Sequence, residues 1–173
     1  MAEAVKNIEV IVADYNNDDH AKAIVSTLNQ YALDPFGGSE PISADVLEVL
    51  VGEMSKVPGA FTLLAYIDGN VGGLLNCFQG FSTFVAKPLI NIHDCAVLNE
   101  YRRLGICSKM LQKCEDIAKE RGCVSVTLEV LAKNEPAKGA YLKHGFIPYE
   151  LNPTMGEASF WIKKLAYDKK QKA

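Results

Sequence analysis

The sequence predicts a single α/β domain over residues 1–173, a mixed sheet of about six to seven strands flanked by about four helices. Three observations predict it. Short β-branched apolar runs alternate with stretches of helical periodicity in the order β-α-α-β-β-β-α-β-α-β-β. Asp68-Gly69-Asn70 joins two of the apolar runs as a hairpin. No internal repeat, low-complexity block or linker divides the chain.

Composition narrows the class. At 173 residues, 49% hydrophobic and 23% charged, the chain can bury one sizeable core without staples. A net charge of −3 leaves no basic surplus for a phosphate backbone, so no nucleic-acid partner is expected. The cysteines Cys77, Cys95, Cys107, Cys114 and Cys123 form neither a CxxC unit nor a Cys/His cluster. Neither a disulfide framework nor a metal site is therefore expected, and at least three of them read as small core residues. The N-terminus lacks a signal pattern, and no apolar run approaches the roughly 18 residues of a span. The expectation is a cytoplasmic protein with no membrane partner.

Residues 8–13 read as a first strand, ended by a polar turn in which Asp18 or Asp19 can cap a helix. Ala23, Ile24, Leu28 and Tyr31 share one face of that helix, and Pro35-Phe36-Gly37-Gly38 breaks it. Ser43 opens a second helix with Val46, Leu47, Leu50, Val51 and Met54 on one face, stopped by Pro58-Gly59. Strands follow at residues 61–67, 71–78 and 89–98. A helix over residues 103–121 buries Ile106, Met110, Leu111, Cys114, Ile117 and Ala118, and Gly122 stands at its C-cap. Residues 124–131 form the next strand. Asn134-Glu135-Pro136 starts a short helix running to Lys143, and His144-Gly145-Phe146 begins another strand. Residues 158–165 form the last strand, before a basic, frayed tail from about residue 167.

The strand over residues 89–98 leads into Asn99-Glu100-Tyr101-Arg102-Arg103-Leu104-Gly105-Ile106-Cys107-Ser108. A strand, a basic glycine-bearing loop and a helix start present free backbone N–H groups and a positive dipole end to an anion. Gly105 lets the backbone approach a ligand closely, and Arg102 and Arg103 add charge-assisted contacts to phosphate oxygens. A solvated helix start with two surface arginines is the competing reading of this stretch alone.

A second cluster lies downstream: Asn134, Ala137, Tyr141 and Gly145-Phe146. Together with Arg102-x-x-Gly105-x-Cys107 after a strand carrying Ala96-Val97, it resembles the GNAT superfamily of acetyl-coenzyme A-dependent N-acetyltransferases. The resemblance spans the chain in element order and is specific in motif from about Asn91 to Phe146. It implies the acyl-CoA N-acyltransferase fold, acetyl-CoA as co-substrate, no metal, and a small-molecule or peptide amine as acceptor. The strand edge at Cys95, Ala96, Val97 and Leu98 would pair with the pantetheine arm as an added strand does. Arg102, Arg103, Leu104, Gly105, Ile106, Cys107 and Ser108 would hold the pyrophosphate. Asn134 would bond the pantetheine or nearby main chain, and Tyr141 would sit near the sulfur. Cys107 departs from the family's usual glycine or alanine; its sulfur is expected behind the loop, and its effect on affinity stays open. Many relatives pair through their last strands, so residues 158–165 are a candidate homodimer edge.

Acetyl transfer needs a base for the amine, a donor for the oxyanion and an acid for the leaving thiolate. Tyr141 can be the acid, and the Val97 N–H is the oxyanion candidate. His93 lies three residues before Ala96, where arylalkylamine acetyltransferases of the superfamily place a proton-relaying histidine. It reads equally as that base or as a histidine bonded into the sheet. Asp94 points to the opposite face unless a bulge re-aims it, and Glu129 is a further carboxylate. The leading function is direct transfer of an acetyl group to a primary amine in a ternary complex. The alternative is a non-catalytic acyl-CoA sensor or interaction module on the same fold. A dinucleotide-binding Rossmann domain is disfavoured, since no G-x-G-x-x-G follows a strand near the N-terminus. The acceptor pocket is expected from residues 34–42, 78–87 and 151–158.

Overall fold

The computed structural model describes residues 7–150, 152, 154 and 156–165. Strand β1 (Ile8–Val12) is followed by helices α1 (Asp18–Ala32) and α2 (Ala44–Met54). Strands β2 (Phe61–Ile67), β3 (Asn70–Ser82) and β4 (Lys87–Val97) come next, then a 3-10 turn at Asn99–Tyr101 and helix α3 (Ile106–Glu120). Strand β5 (Val126–Leu128) and helix α4 (Glu135–Lys143) complete the set. The sheet order is β1-β2-β3-β4-β5; β1 to β4 are antiparallel and β5 runs parallel to β4. This is the mixed α/β architecture expected.

Local chemistry explains the boundaries. Asn17, rather than Asp18 or Asp19, caps α1, accepting from the N–H groups of Asp19 and His20; the two aspartates occupy the first turn, where the dipole favours them. Asp68 (φ 49°) and Gly69 (φ 83°) make the two-residue turn of the β2–β3 hairpin, both in the left-handed region that such a turn requires. β3 and β4 run on past residues 78 and 89 as one long hairpin, to Ser82 and Lys87.

Several expectations about strands fail. The described residues form five strands, not six to seven; β5 covers Val126–Leu128 rather than residues 124–131, and no strand begins at His144-Gly145-Phe146. Residues 156–165 hold no strand, and Phe160, Trp161 and Ile162 are 75%, 87% and 73% exposed. An apolar segment becomes a strand only against a paired edge, and three residues of β5 offer too little ladder to hold eight. The tail from residue 167 lies outside the described residues.

Each face of the sheet has its own core. On one, α3 packs Ile106, Met110 and Cys114 against Leu63, Leu75, Cys77, Ile90 and Ile92. On the other, Ile24 and Leu28 of α1 and Val51 of α2 pack on Leu64, Leu74 and Ala96. No helix among the described residues is long and apolar enough to cross a membrane.

Candidate active site

The site begins with one extra residue in β4. Asn76 pairs with Asp94 and Cys77 with Ile92, so His93 has no partner across the ladder. Strand alternation is broken there. Ile90 and Ile92 face α3, and after the bulge Cys95 and Val97 face α3 again. Asp94 is thereby re-aimed to the α1/α2 face, beside His93. Both line a cavity of about 410 Å³ with Tyr31, Gly37, Ile42, Met54, Asn76 and Phe78.

Asp94 is the end of a polar chain through the core. Asn76 Nδ2 donates to Asp94 Oδ2 at 2.9 Å, and Thr62 Oγ1 donates to Asn76 Oδ1 at 2.7 Å. Thr62 has a single hydroxyl proton, so in its 3.1 Å contact with Tyr15 the phenol is the donor. Every proton therefore points along the chain toward the carboxylate. Thr62 and Asn76 are 0% and 1% exposed, so the middle of the chain is sealed from water between the half-buried Tyr15 and the cavity. His93 is exposed and meets the Phe78 ring edge-on, with centroids 5.7 Å apart.

Along β4 the other edge is open. Pairing with β5 ends at Ile92, while Leu98 N–H bonds Gly72 O at 2.9 Å on the β3 side. In an antiparallel ladder bonded pairs alternate, so Asp94, Ala96 and Leu98 bond toward β3. The N–H and C=O of Cys95 and Val97 consequently face the open edge. Val97 O accepts from Arg102 Nε at 3.0 Å. The same guanidinium donates through Nη2 to Asp34 Oδ2 at 2.8 Å, which holds the Asp34 carboxyl below its usual range.

The loop after β4 reaches α3 through two left-handed residues, Arg103 (φ 66°) and Gly105 (φ 80°). Gly105 is the N-cap, no side chain caps the helix, and a Cβ at Gly105 would meet nothing within 4 Å. The first amides of α3, from Ile106 to Ser108, therefore remain available to an external acceptor. Cys107 turns inward, its Sγ 3.8 Å from Cys95 Sγ, so its sulfur does lie behind the loop.

Of the downstream residues, Asn134 Oδ1 caps α4 by accepting from Ala137 N–H at 3.2 Å, leaving its amide nitrogen for another partner. Tyr141 is 8% exposed within the α3-side core; burial and the neighbouring Cys95 push its phenol well above the ordinary range. Glu129 does not point inward: it lies past β5, exposed, 3.3 Å from Asn91 Nδ2. Of the three segments expected to border the pocket, Gly37 and Ile42 represent the first and Phe78 the second. Residues 151, 153 and 155 of the third lie outside the described residues.

The sequence reading missed Tyr15, Thr62 and Asn76. The available signal was Asn76 within Leu74-Leu75-Asn76-Cys77, a polar residue in a run with no other reason to contain one. Among the described residues no group of three or more His, Cys, Asp or Glu gathers as a metal site would.

The chain shares its fold with known proteins. The model of the acetyltransferase (GNAT) family matches residues 24–146. The chain is 25% identical over 138 residues to a thialysine N-epsilon-acetyltransferase of Caenorhabditis elegans, covering 79% of this chain and 81% of that one. It is 35% identical over 103 residues to an N-alpha-acetyltransferase of Sulfurisphaera tokodaii, covering 56% and 61%. A crystal structure of a probable acetyltransferase superposes with a TM-score of 0.75 at 18% identity, over 92% of this chain and 99% of that one. An aminoglycoside N-acetyltransferase in complex with CoA gives 0.73 at 13% identity, over 95% and 100%. The family match runs from α1 to the end of α4, and the chain belongs to the GNAT family of N-acetyltransferases.

Proposed function

We propose that the protein transfers an acetyl group from acetyl-CoA directly to a primary amine, the amine entering the cavity under α1 and α2. One observation carries this reading: the bulge at His93 turns a hydrogen-bonded carboxylate into the cavity, beside a strand edge whose amides face outward. The residues fit the co-substrate. The uncapped amides from Ile106 to Ser108, the open space at Gly105 and the cation of Arg103 suit a pyrophosphate. The outward N–H and C=O groups of Cys95 and Val97 suit an extended amide arm. Arg102 reaches a phosphate only by leaving Val97 and Asp34. Asn134 has its amide nitrogen to offer.

Bound acetyl-CoA supplies an activated acyl thioester. The remaining work falls to the chain. Asp94 takes the proton from the incoming ammonium, and His93 at the mouth passes it to solvent. The Val97 N–H donates to the developing oxyanion. Tyr141, kept protonated by burial, donates to the departing sulfur from the α3 side. All these groups come from one chain, so no second copy is needed to complete the site.

The cavity walls are mostly apolar (Leu28, Ile42, Met54 and Phe78 among them), with Asp94 as the single carboxylate among its lining residues. Such a pocket suits a primary ammonium on an apolar stem. The test is thiol release from acetyl-CoA across alkylamines, arylalkylamines, short peptides and aminoglycosides. Release is expected with the amines on apolar stems. Coenzyme binding without release from any amine would overturn the transferase mechanism in favour of a sensor.

A further inference from the structure

Four of the five cysteines form two pairs on the α3 side of the sheet. Cys77 with Cys114 and Cys95 with Cys107 each bring their sulfurs to 3.8 Å. The pairs differ in access. Cys77 and Cys114 are both 0% exposed at the centre of the core. Cys95 and Cys107 are partly exposed at its margin, where β4 meets the start of α3.

They differ in chemistry too. Cys107 is the second residue of α3, within reach of the uncapped amides and the positive dipole end, a setting that favours a thiolate. Either sulfur can donate in their contact, so the helix start, which only Cys107 occupies, makes Cys107 the sulfur that attacks and Cys95 the one that resolves. Nothing in the acetyl-transfer scheme uses either side chain.

We propose that Cys95 and Cys107 form an oxidant-responsive dithiol, closed to a disulfide by hydroperoxides, and that closure weakens capture of the coenzyme. The Cys107 thiolate attacks the peroxide oxygen, breaking the O–O bond; a sulfenic acid forms and hydroxide leaves, protonated to water. The Cys95 sulfur, giving up its proton, then displaces the sulfenic oxygen as a second water and forms the S–S bond. Two thiols lose two electrons and two protons, and one hydrogen peroxide becomes two waters. The bond requires the sulfurs to close from 3.8 Å to about 2.0 Å. That movement draws the first turn of α3 toward β4, displacing the Cys107 amide from the cradle. The effect on coenzyme rests on the function proposed above; formation of the bond does not.

The test treats the reduced full-length protein with hydrogen peroxide, blocks remaining thiols and maps the peptides, with cleavage before Asp94 separating Cys95 from Cys77. A Cys95–Cys107 cross-link, loss of two thiols and full reversal by dithiothreitol are expected, with Cys77 and Cys114 alkylated only after denaturation. Cys95→Ser should yield no cross-link and a sulfenic acid on Cys107 that dimedone traps. By calorimetry the oxidised protein should bind acetyl-CoA about tenfold more weakly or worse, as loss of a charge-assisted amide bond implies. Absence of the cross-link, or a cross-link with undiminished affinity, overturns the proposal. A reduced protein that binds no acetyl-CoA would instead overturn the proposed function, with the cross-link standing or falling by itself.

Discussion

The two faces of β4 are built by different rules. Toward α3 the strand presents Ile90, Ile92, Cys95 and Val97, a continuous apolar surface against Ile106, Met110 and Cys114. Toward α1 and α2 it presents His93 and Asp94 to a cavity, with the buried Thr62–Asn76 chain behind them. Unbroken alternation would send Asp94 after Ile90 and Ile92 into the α3 core. A carboxylate there would be desolvated without a donor, at a cost of several kcal/mol on the order of a lost buried hydrogen bond or more. The single bulged residue removes that cost and creates the acid–base face in one step. In the proposed reaction the α3 side handles the donor and the other side handles the acceptor.

That division can be broken from the donor side first. Gly105→Glu should fold, since a Cβ there meets open space and only the left-handed φ is strained. Its bulk and charge nonetheless enter the anion cradle, so no calorimetric binding of acetyl-CoA is expected, while the left-handed strain of about 1–2 kcal/mol lowers the melting temperature by only several degrees. Full retention of affinity would remove the pyrophosphate from this loop.

Next in size is the acceptor side. Asp94→Asn keeps the shape and removes the base, and turnover should fall by about 10²–10⁴ with coenzyme affinity unchanged. His93→Gln should cost less than Asp94→Asn if the histidine only relays to solvent; the reverse order in steady-state kinetics would exchange their roles. Tyr141→Phe tests the same division from behind the strand. Turnover should drop by about 10²-fold, a loss at the low end of acid catalysis, again without a change in affinity. Wild-type turnover would remove Tyr141 as the acid.

Much of the proposed donor side can be read from the sequence because it is local. The cradle lies within seven consecutive residues, Arg102 to Ser108, and its strand-to-helix context can be read from apolar pattern alone. The acceptor side is not local. Tyr15, Thr62, Asn76 and Asp94 come from four separate segments, and they meet only after β2, β3 and β4 are in register and β4 is bulged. No periodicity announces a bulge, because it is the exception to the period. The same reliance on local pattern over-read the C-terminus: Phe160-Trp161-Ile162 is strand-like in composition yet largely exposed, since pairing depends on a neighbour and not on propensity.

The polar chain can be tested as a unit. Asn76→Ala strands the Thr62 hydroxyl and leaves Asp94 without its 2.9 Å donor. A loss of about 1–3 kcal/mol of stability is expected from the unsatisfied buried group. Because that donor also holds the carboxylate in place at the cavity, kcat should fall while acetyl-CoA affinity is unchanged. An unchanged kcat with the stability loss would make Asn76 a purely structural residue.

The smallest effect lies where the two sides touch. Asp34, in the loop that borders the acceptor cavity, is 11% exposed in its side chain and grips Arg102 of the donor loop, whose side chain is 47% exposed. Asp34→Asn removes the charge but retains an acceptor for the Phe36 N–H, which Asp34 Oδ1 now takes at 2.9 Å. Half-exposure of the arginine limits the pair to less than about 1 kcal/mol. The sign follows from the depressed Asp34 pKa. The contribution is complete above the unfolded carboxyl's pKa of about 3.9 and disappears as pH falls through the lower folded value. Urea unfolding should therefore separate wild type from Asp34→Asn at pH 7 and bring them together in strong acid. Freed from Asp34, Arg102 should also serve the coenzyme more readily, so acetyl-CoA affinity should rise or hold. A fall in affinity would mean that the acceptor loop positions Arg102 for the donor, and that the two sides of β4 are coupled through this pair.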